Sequence, residues 1–347
     1  MLRLSLALLL AVCLAAAAPA AAQSAAVLPG LDGDPVVLVV HGGAGTITRA
    51  AMTPETEAEV RAALEEALRA GHAAVVAGAP ALDAVTAALG ILEDNPQFNA
   101  GRGAVFAADG TVRHDASIMD GATGLAGAST GTMHVRHPIE LARRVMEASP
   151  HVLLAGEGAE EFALLEGLEM VPNTFFHTPR RLDALLQVQA RERSATGDAG
   201  AVPEDWQMRG TVGAVALSAA GDLAAGTSTG GMTNKRWGRI GDSPIIGAGT
   251  FADGAVGVSA TGHGEYFIRL GIARDVAARM AYLGESIDTA ADAVIHGALT
   301  AAGGTGGIVA LDATGTAAMP FNTEGMYRGF VTRSGRVVTM IYGDEEG

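Results

Sequence analysis

The chain has 347 residues, of which 49% are hydrophobic, and its 38 acidic and 23 basic residues give a formal net charge of -15. This composition predicts a globular protein with an ample core, and the length is compatible with one large layered domain. The acidic balance leaves no basic stripe, which argues against nucleic acid or anionic lipid as a partner.

The N-terminal segment has the pattern of a secretory signal peptide. Arg3 precedes an apolar run from Leu4 to Leu14, and an alanine-rich end follows before Gln23. We therefore expect residues 1–22 to be removed on export, which makes the mature protein periplasmic or secreted and leaves it without a membrane segment. The apolar run is short for a permanent transmembrane anchor.

Cys13 is the only cysteine and lies within this segment, so the mature protein would contain none. That excludes a disulfide framework, a cysteine zinc site and a cysteine nucleophile. The bulky Val12 before Cys13 argues against a lipidated cysteine, so simple export is the preferred interpretation.

In the first half of the chain, the apolar run Val36 to Val40 predicts a buried strand that feeds a glycine loop at His41 to Gly45. Thr53 followed by Pro54 is typical of a helix start. Other segments predict short strands with a turn at Asp109-Gly110 over residues 101–131, and helices over about 81–93, 139–147, 156–165 and 180–191.

Residues 192–210 are charged or small and show little apolar periodicity, which predicts a linker that proteases can reach. A hairpin is predicted after it, with strands 212–217 and 223–227 around Gly221-Asp222. The blockwise order of strands and helices favours an α+β fold with layers of antiparallel sheet. The remaining predicted strands are 254–260, 308–311, 317–320 and 337–342, and the remaining predicted helices are 265–283 and 287–301.

Two G-x-S-x-G patterns, around Ser129 and Ser228, suggest a serine esterase, and His41 to Gly45 resembles an esterase oxyanion loop. A nucleophile elbow needs a helix directly after the serine, and neither following segment is a good helix start. His134 and His137 lack a third metal ligand, so we interpret them as surface histidines.

Thr211 stands between the polar linker and the predicted hairpin. Cleavage of the Gly210–Thr211 bond would give Thr211 a free α-amine beside its own hydroxyl, so that one residue supplies both base and nucleophile. The reference pKa of such an amine, about 7.7–8.0, suits a base near neutral pH. Taken alone, a Gly-Thr pair is usually no more than the start of a strand.

Several ordered motifs change that interpretation, because together they resemble the isoaspartyl peptidase and plant-type L-asparaginase family of N-terminal nucleophile hydrolases. The motifs span residues 41–45, 92–101, 115–121, 211–217, 227–235, 238–244 and 261–265. The resemblance implies a four-layer αββα sandwich, self-cleaved into an α-subunit of residues 23–210 and a β-subunit of residues 211–347. It also implies an (αβ)₂ dimer and no catalytic cofactor.

The resemblance assigns roles to the matched residues. Thr211 would attack the substrate's side-chain amide or isopeptide carbonyl to form a β-aspartyl ester, and Thr229 would tune it by hydrogen bonding. Arg239 suits the substrate α-carboxylate and Asp242 its α-ammonium. Without the resemblance, Arg239 and Asp242 would be interpreted as a surface ion pair.

Thr261 and Gly262 would stabilise the developing oxyanion, with Asn99 as a further contributor. The family also binds a structural sodium ion through main-chain carbonyls, here those of Leu92, Glu93, Phe98 and Ala100. The resulting hypothesis is an exported enzyme that hydrolyses isoaspartyl (β-aspartyl) dipeptides and L-asparagine. The alternatives are a glycosylasparaginase, a serine esterase and a non-catalytic secreted binding module.

Overall fold

Two sheets stacked face to face, with helices on both outer surfaces, form the four-layer αββα sandwich that the family resemblance implies. The structure is a computed structural model that describes residues 27–28, 33–194 and 210–345. The expected signal peptide, with Cys13, and residues 195–209 of the expected linker lie outside the described residues.

The larger sheet has eight strands in the order β13-β12-β2-β6-β7-β3-β4-β5. All neighbours are antiparallel except β4 and β5. The strands are β2 (Val36–Gly45), β3 (His114–Asp120), β4 (Ala126–Thr132), β5 (Leu153–Ala155), β6 (Val212–Leu217), β7 (Leu223–Thr229), β12 (Gly325–Thr332) and β13 (Val337–Tyr342).

The smaller sheet has the order β1-β11-β10-β9-β8 and is antiparallel throughout. It lies against β2, β6 and β7 of the larger sheet. Its strands are β1 (Val27–Leu28), β8 (Thr250–Ala252), β9 (Val256–Gly262), β10 (Gly306–Asp312) and β11 (Ala317–Ala318).

Helices α1 (Pro54–Val76), α2 (Ala81–Asp94) and α3 (Pro138–Ala148) cover the larger sheet, whereas α7 (Ile272–Leu283) and α8 (Ile287–Asp292) cover the smaller one. The predicted start of α1 is confirmed, because the Thr53 hydroxyl accepts a hydrogen bond from the Thr56 amide at 3.2 Å. None of the described helices combines the length and apolarity that crossing a membrane requires. The other helices are α4 (Gly156–Leu165), α5 (Pro179–Ser194) and α6 (Gly264–Leu270).

Strand β2 lies at the centre of the molecule and is buried along its whole length. Val36 and Val39 join the core shared with the smaller sheet, while Val37, Leu38 and Val40 join the core beneath α1 and α2. Both faces of the strand are therefore apolar, which explains the uninterrupted hydrophobic run in the sequence.

The structure corrects three predicted elements. His41 to Gly45 is not a loop but the second half of β2, because the unpredicted strand β12 pairs with it as far as Gly45↔Gly325. The predicted helix 265–283 is broken at Gly271, whose φ of +61° is left-handed. The predicted helix 287–301 continues after α8 as a π-helical segment, Ala293–Leu299.

The esterase interpretation also fails on the structure. Ser129 and Ser228 are buried within β4 and β7. Among the described residues, neither serine is followed directly by the helix that a nucleophile elbow requires. His134 is a surface histidine as predicted, with a side chain that is 40% exposed and an Nδ1 that lies 3.0 Å from Glu160. His137 is less exposed, at 16%, and its Nδ1 lies 3.3 Å from Glu93.

Candidate active site

Thr211 immediately precedes β6, and the hairpin to β7 brings Thr229 beside it. The Thr211 hydroxyl donates a hydrogen bond to Thr229 Oγ1 at 3.1 Å. Both side chains are buried, with exposures of 7% and 3%. The pairing follows from the strand register, because Val212 and Ser228, the next residues inward, are cross-strand partners.

The carbonyl oxygen of Gly210, which belongs to the expected scissile bond, accepts two hydrogen bonds. Asn99 Nδ2 donates to it at 2.7 Å, and the Thr229 hydroxyl donates at 3.3 Å. Asn99 is completely buried, and its Oδ1 accepts from the Val105 amide at 2.9 Å, which fixes the orientation of the side-chain amide. Asn99 therefore binds the carbonyl group of the expected scissile bond.

The backbone of β2 closes over this peptide. Gly43 has a φ of +115°, and a Cβ at that position would lie 2.6 Å from Gly210 Cα and 3.2 Å from Thr211 N. The next residue, Ala44, donates its amide to the buried Thr261 hydroxyl at 3.3 Å. Only glycine allows β2 to approach so closely.

One small cavity gathers most of the predicted site residues. Thr211 and Thr229 line it from the hairpin, and Gly262 lines it from the end of β9. The other predicted residues on its wall are Gly210, Arg239 and Asp242, and the unpredicted ones are Gly231, Met232, Gly241 and Ser243. Thr261 and Asn99 lie next to this cavity, because Thr261 precedes Gly262 and Asn99 donates a hydrogen bond to Gly210.

Arg239 pairs with Glu265 rather than with Asp242. Its Nε and Nη2 donate to the two Glu265 carboxylate oxygens at 2.9 Å each, a bidentate arrangement that fixes the guanidinium plane. Its Nη1 lies beside Gly231 and Gly241, both of which line the cavity. The surface ion pair expected from sequence alone is therefore wrong, and one edge of the guanidinium is directed towards the cavity.

Asp242 is buried, and burial raises its pKa to about 7 against the opposing charge of Arg239. Among the described residues, its Oδ2 has no hydrogen-bond partner. A buried carboxylate oxygen without a donor is unfavourable, and an ammonium group bound in the cavity would satisfy it.

His41 was part of a sequence motif, but sequence reasoning gave it no role. It is fully buried in β2, its Nδ1 lies 2.9 Å from the Thr211 carbonyl oxygen, and its Nε2 lies 2.9 Å from Ser259 Oγ. Burial lowers the pKa of His41 to about 3, so its imidazole is neutral. A Cβ on Gly213 would lie 1.9 Å from Ser259 Oγ, which explains the glycine two residues after Thr211.

A row of buried hydroxyl groups continues from Ser259 between the two sheets. Ser259 Oγ lies 2.7 Å from Thr227 Oγ1, the Thr250 hydroxyl donates to Thr227 at 2.6 Å, and the Ser117 hydroxyl contacts Thr250 at 2.8 Å. These side chains come from four different strands, so their association depends on register and sheet stacking, which no local motif encodes.

The segment expected to hold sodium curls tightly on itself. A Cβ on Gly101 would lie 2.2 Å from the Glu93 carbonyl oxygen, and one on Gly103 would lie 2.1 Å from that of Phe98. The curl thus packs carbonyl oxygens of two expected ligands against glycine Cα atoms, and carbonyl oxygens suit a hard cation. The residues are compatible with the ion, and the sodium site stays a prediction.

Comparison with known proteins identifies the family. A family model described as asparaginase matches residues 34–341. The isoaspartyl peptidase of Salmonella typhimurium is 50% identical over 307 residues, which cover 88% of this chain and 98% of that protein. The isoaspartyl peptidase of Escherichia coli is 48% identical over 307 residues, covering 88% and 96%. The plant-type L-asparaginase of Pyrococcus abyssi is 41% identical over 302 residues, covering 85% and 96%.

These matches agree with the αββα sandwich, which is the architecture of an N-terminal nucleophile hydrolase. They also span almost all of the chain after the expected signal peptide. The protein therefore belongs to the asparaginase family and is a hydrolase of the isoaspartyl peptidase and L-asparaginase class.

Proposed function

We propose that the protein is a self-cleaving threonine amidohydrolase that hydrolyses isoaspartyl dipeptides and L-asparagine. The observation that carries this proposal is the convergence on one peptide bond of a hydroxyl nucleophile, Thr211, and two donors to the Gly210 carbonyl oxygen, Asn99 and Thr229. The names of the relatives supply the substrate classes.

In self-cleavage, Thr211 Oγ1 attacks the Gly210 carbonyl carbon. The donors from Asn99 and Thr229 stabilise the negative charge that develops on the Gly210 oxygen. The carbon–nitrogen bond then breaks, and the Thr211 nitrogen takes up a proton and becomes a free α-amine. Water hydrolyses the remaining ester, which leaves a carboxylate on Gly210 and restores the Thr211 hydroxyl.

In turnover, the α-amine of Thr211 takes the hydroxyl proton as Oγ1 attacks the side-chain carbonyl carbon of the substrate. The leaving nitrogen takes up a proton and departs as ammonia or as the amine of an amino acid. Water then hydrolyses the β-aspartyl ester, returning L-aspartate and free Thr211. Thr261 and the Gly262 amide are the proposed donors to the oxyanion.

Arg239 and Asp242 would select the aspartyl head group. The Arg239 guanidinium, held by Glu265, suits the α-carboxylate, and the unpartnered oxygen of Asp242 suits the α-ammonium. This division explains why the two residues do not pair with each other across the cavity.

Three further features belong to the proposal. The carbonyls of Leu92, Glu93, Phe98 and Ala100 would hold a structural sodium ion, which stabilises the loop that carries Asn99 and takes no part in the chemistry. The cleaved protomers would pair as an (αβ)₂ dimer. Residues 1–22 would direct export to the periplasm or the exterior and would then be removed.

The deciding experiment compares wild type with Thr211→Ala by denaturing gel, intact mass and turnover of a β-aspartyl dipeptide, L-asparagine and a glycosylated asparagine. We expect two wild-type fragments split before Thr211, and an uncut, inactive Thr211→Ala. Ser129→Ala is the control, because it removes a buried hydroxyl that has no hydrogen-bond partner among the described residues. An uncut yet active wild type would refute the mechanism, and preference for the glycosylated substrate would indicate a glycosylasparaginase.

A further inference from the structure

A second and larger cavity, of about 550 Å³, borders the candidate active site, and Arg239 lines both. It opens at the same end of the strands of the larger sheet as the candidate active site does. Asp115 of β3 is the cross-strand partner of Thr229 and of Thr130 in β4, and both Asp115 and Thr130 line this cavity. With strands about 4.8 Å apart, Asp115 lies roughly 10 Å along the edge from Thr211.

Two polar side chains that line the cavity, Asp115 and Lys235, each keep hydrogen-bonding capacity for a ligand. Asp115 is 99% buried; its Oδ1 accepts from the Thr130 hydroxyl and the Gly131 amide, while its Oδ2 has no partner in the described part of the chain. Lys235 donates to the carbonyl oxygens of Arg113 and Gly230 at 2.9 and 2.7 Å. An ammonium group has three N–H donors, so a third remains for a ligand.

The rim of the cavity carries Trp237, which is 98% exposed. It occupies a tight turn closed by a hydrogen bond from the Arg239 amide to the Arg236 carbonyl at 2.9 Å. Trp237 and Gly238, the two central residues, have φ values of +55° and +70°. Glycine, asparagine or aspartate normally occupies such positions, so the backbone of Trp237 is strained. Its large apolar side chain is also exposed to water, and exposed apolar groups at strained positions are typical of binding sites.

We propose that this cavity, the Trp237 cavity, holds the residue on the leaving side of the isoaspartyl bond, with Trp237 packed against its side chain. The inference rests on the proposed function. A leucine on that side would extend roughly 6 Å from the scissile carbon, towards the cavity that Arg239 shares with the candidate active site. After cleavage the released amino acid is no longer bonded to the scissile carbon, so its amine would be free to donate to Asp115 Oδ2 while its carboxylate accepts from Lys235.

The side chains around the cavity predict the substrate preference. Ala107, Ala155 and Ile240 join Trp237 in providing an apolar wall. Apolar leaving residues such as leucine or phenylalanine should therefore be preferred over glycine. L-Asparagine releases only ammonia and leaves the cavity unused, so it serves as an internal reference substrate.

The first test measures kcat/KM for β-aspartyl-leucine, β-aspartyl-glycine and L-asparagine with wild type, Trp237→Ala and Trp237→Phe. We expect Trp237→Ala to lower the leucine-to-asparagine ratio about tenfold, the loss that follows from exposing most of a leucine side chain. Trp237→Phe should restore most of the ratio. Leu165→Ala, at the far end of α4 and 79% exposed, is the control for loss of a surface apolar group. A ratio within twofold of wild type in Trp237→Ala would overturn the proposal.

The second test needs no turnover. Calorimetry measures binding of L-leucine and of L-aspartate to wild type and to Asp115→Asn, which keeps an oxygen for Thr130 and Gly131. We expect Asp115→Asn to weaken leucine binding more than aspartate binding. Equal weakening, or a wild type that does not bind leucine, would overturn the proposal. A wild type that binds leucine but hydrolyses none of the three substrates would instead refute the proposed function.

Discussion

Replacing Asn99 with aspartate tests whether the Gly210 carbonyl is prepared for attack. The substitution keeps an oxygen for the Val105 amide but removes the donor that lies 2.7 Å from Gly210 O and the one that lies 2.8 Å from Gly231 O. Loss of one oxyanion donor costs about 2.7–4 kcal/mol of transition-state stabilisation, so we expect self-cleavage to slow about 100- to 1,000-fold. The added negative charge acts in the same direction.

The assay follows precursor and fragments by intact mass over time after purification. Asn173→Asp is the matched control, because Asn173 also donates to two main-chain carbonyls and accepts from one main-chain amide, but lies between Val112 and Met133. We expect this control to lose stability without a comparable delay in cleavage. A folded Asn99→Asp protein that cleaves at the wild-type rate would refute the assigned role.

The remaining predictions concern Asp242 and Gly43. Because burial raises the folded-state pKa of Asp242 from 3.8 to about 7, kcat/KM for L-asparagine should rise as the pH passes through about 7 and the carboxylate ionises to bind the ammonium. Between pH 3.8 and 7 the carboxyl group of Asp242 keeps its proton in the folded state but has lost it in the unfolded state, so its contribution to stability falls as the pH rises through this range. We therefore expect Asp242→Asn to have a free energy of unfolding up to about 4 kcal/mol higher than wild type at pH 8, as measured by denaturant unfolding. The same variant should lose turnover. Equal stability of the two proteins at pH 8 would contradict this. Gly43→Ala should slow self-cleavage, which denaturing gels measure, and should lower the free energy of unfolding by about 1–3 kcal/mol, which denaturant unfolding measures. Gly110→Ala, with a φ of +81° and open space around it, is the control that carries backbone strain without a clash.

Local patterns predicted the elements whose signals are local. The capping threonine of α1 and the turn between β6 and β7 were both correct. Strand β12 was missed because Gly325, Arg328 and Gly329 interrupt any apolar alternation, although pairing with β2 and β13 makes it a strand. The glycines of β2 looked like a loop for the same reason: only the partner strand shows that they continue the sheet.

The candidate site divides in the same way. Most of the predicted site residues line one cavity, whereas Asn99 and Thr261 lie beside it, and the roles of all of them stay predictions. Glu265, the partner of Arg239, could have been suggested by its place in a quoted motif. The target of Asn99 and the contact of His41 with Thr211 could not, because they join residues that are 111 and 170 positions apart in the sequence.

The row of hydroxyl groups behind His41 links the two sheets to the Thr211 carbonyl group. The Thr211 carbonyl can only accept, so a neutral His41 must carry its hydrogen on Nδ1, and its bare Nε2 must then accept from Ser259. Thr227 accepts from Thr250, and its own hydroxyl lies within hydrogen-bond distance of both Ser259 and the Gly249 carbonyl oxygen. Thr250 and Ser259 belong to the smaller sheet, whereas Thr227 and His41 belong to the larger one, so this row of hydrogen bonds crosses the gap between the sheets three times. The stacking of the two sheets is thereby coupled to the position of the main-chain carbonyl of Thr211, the proposed nucleophile.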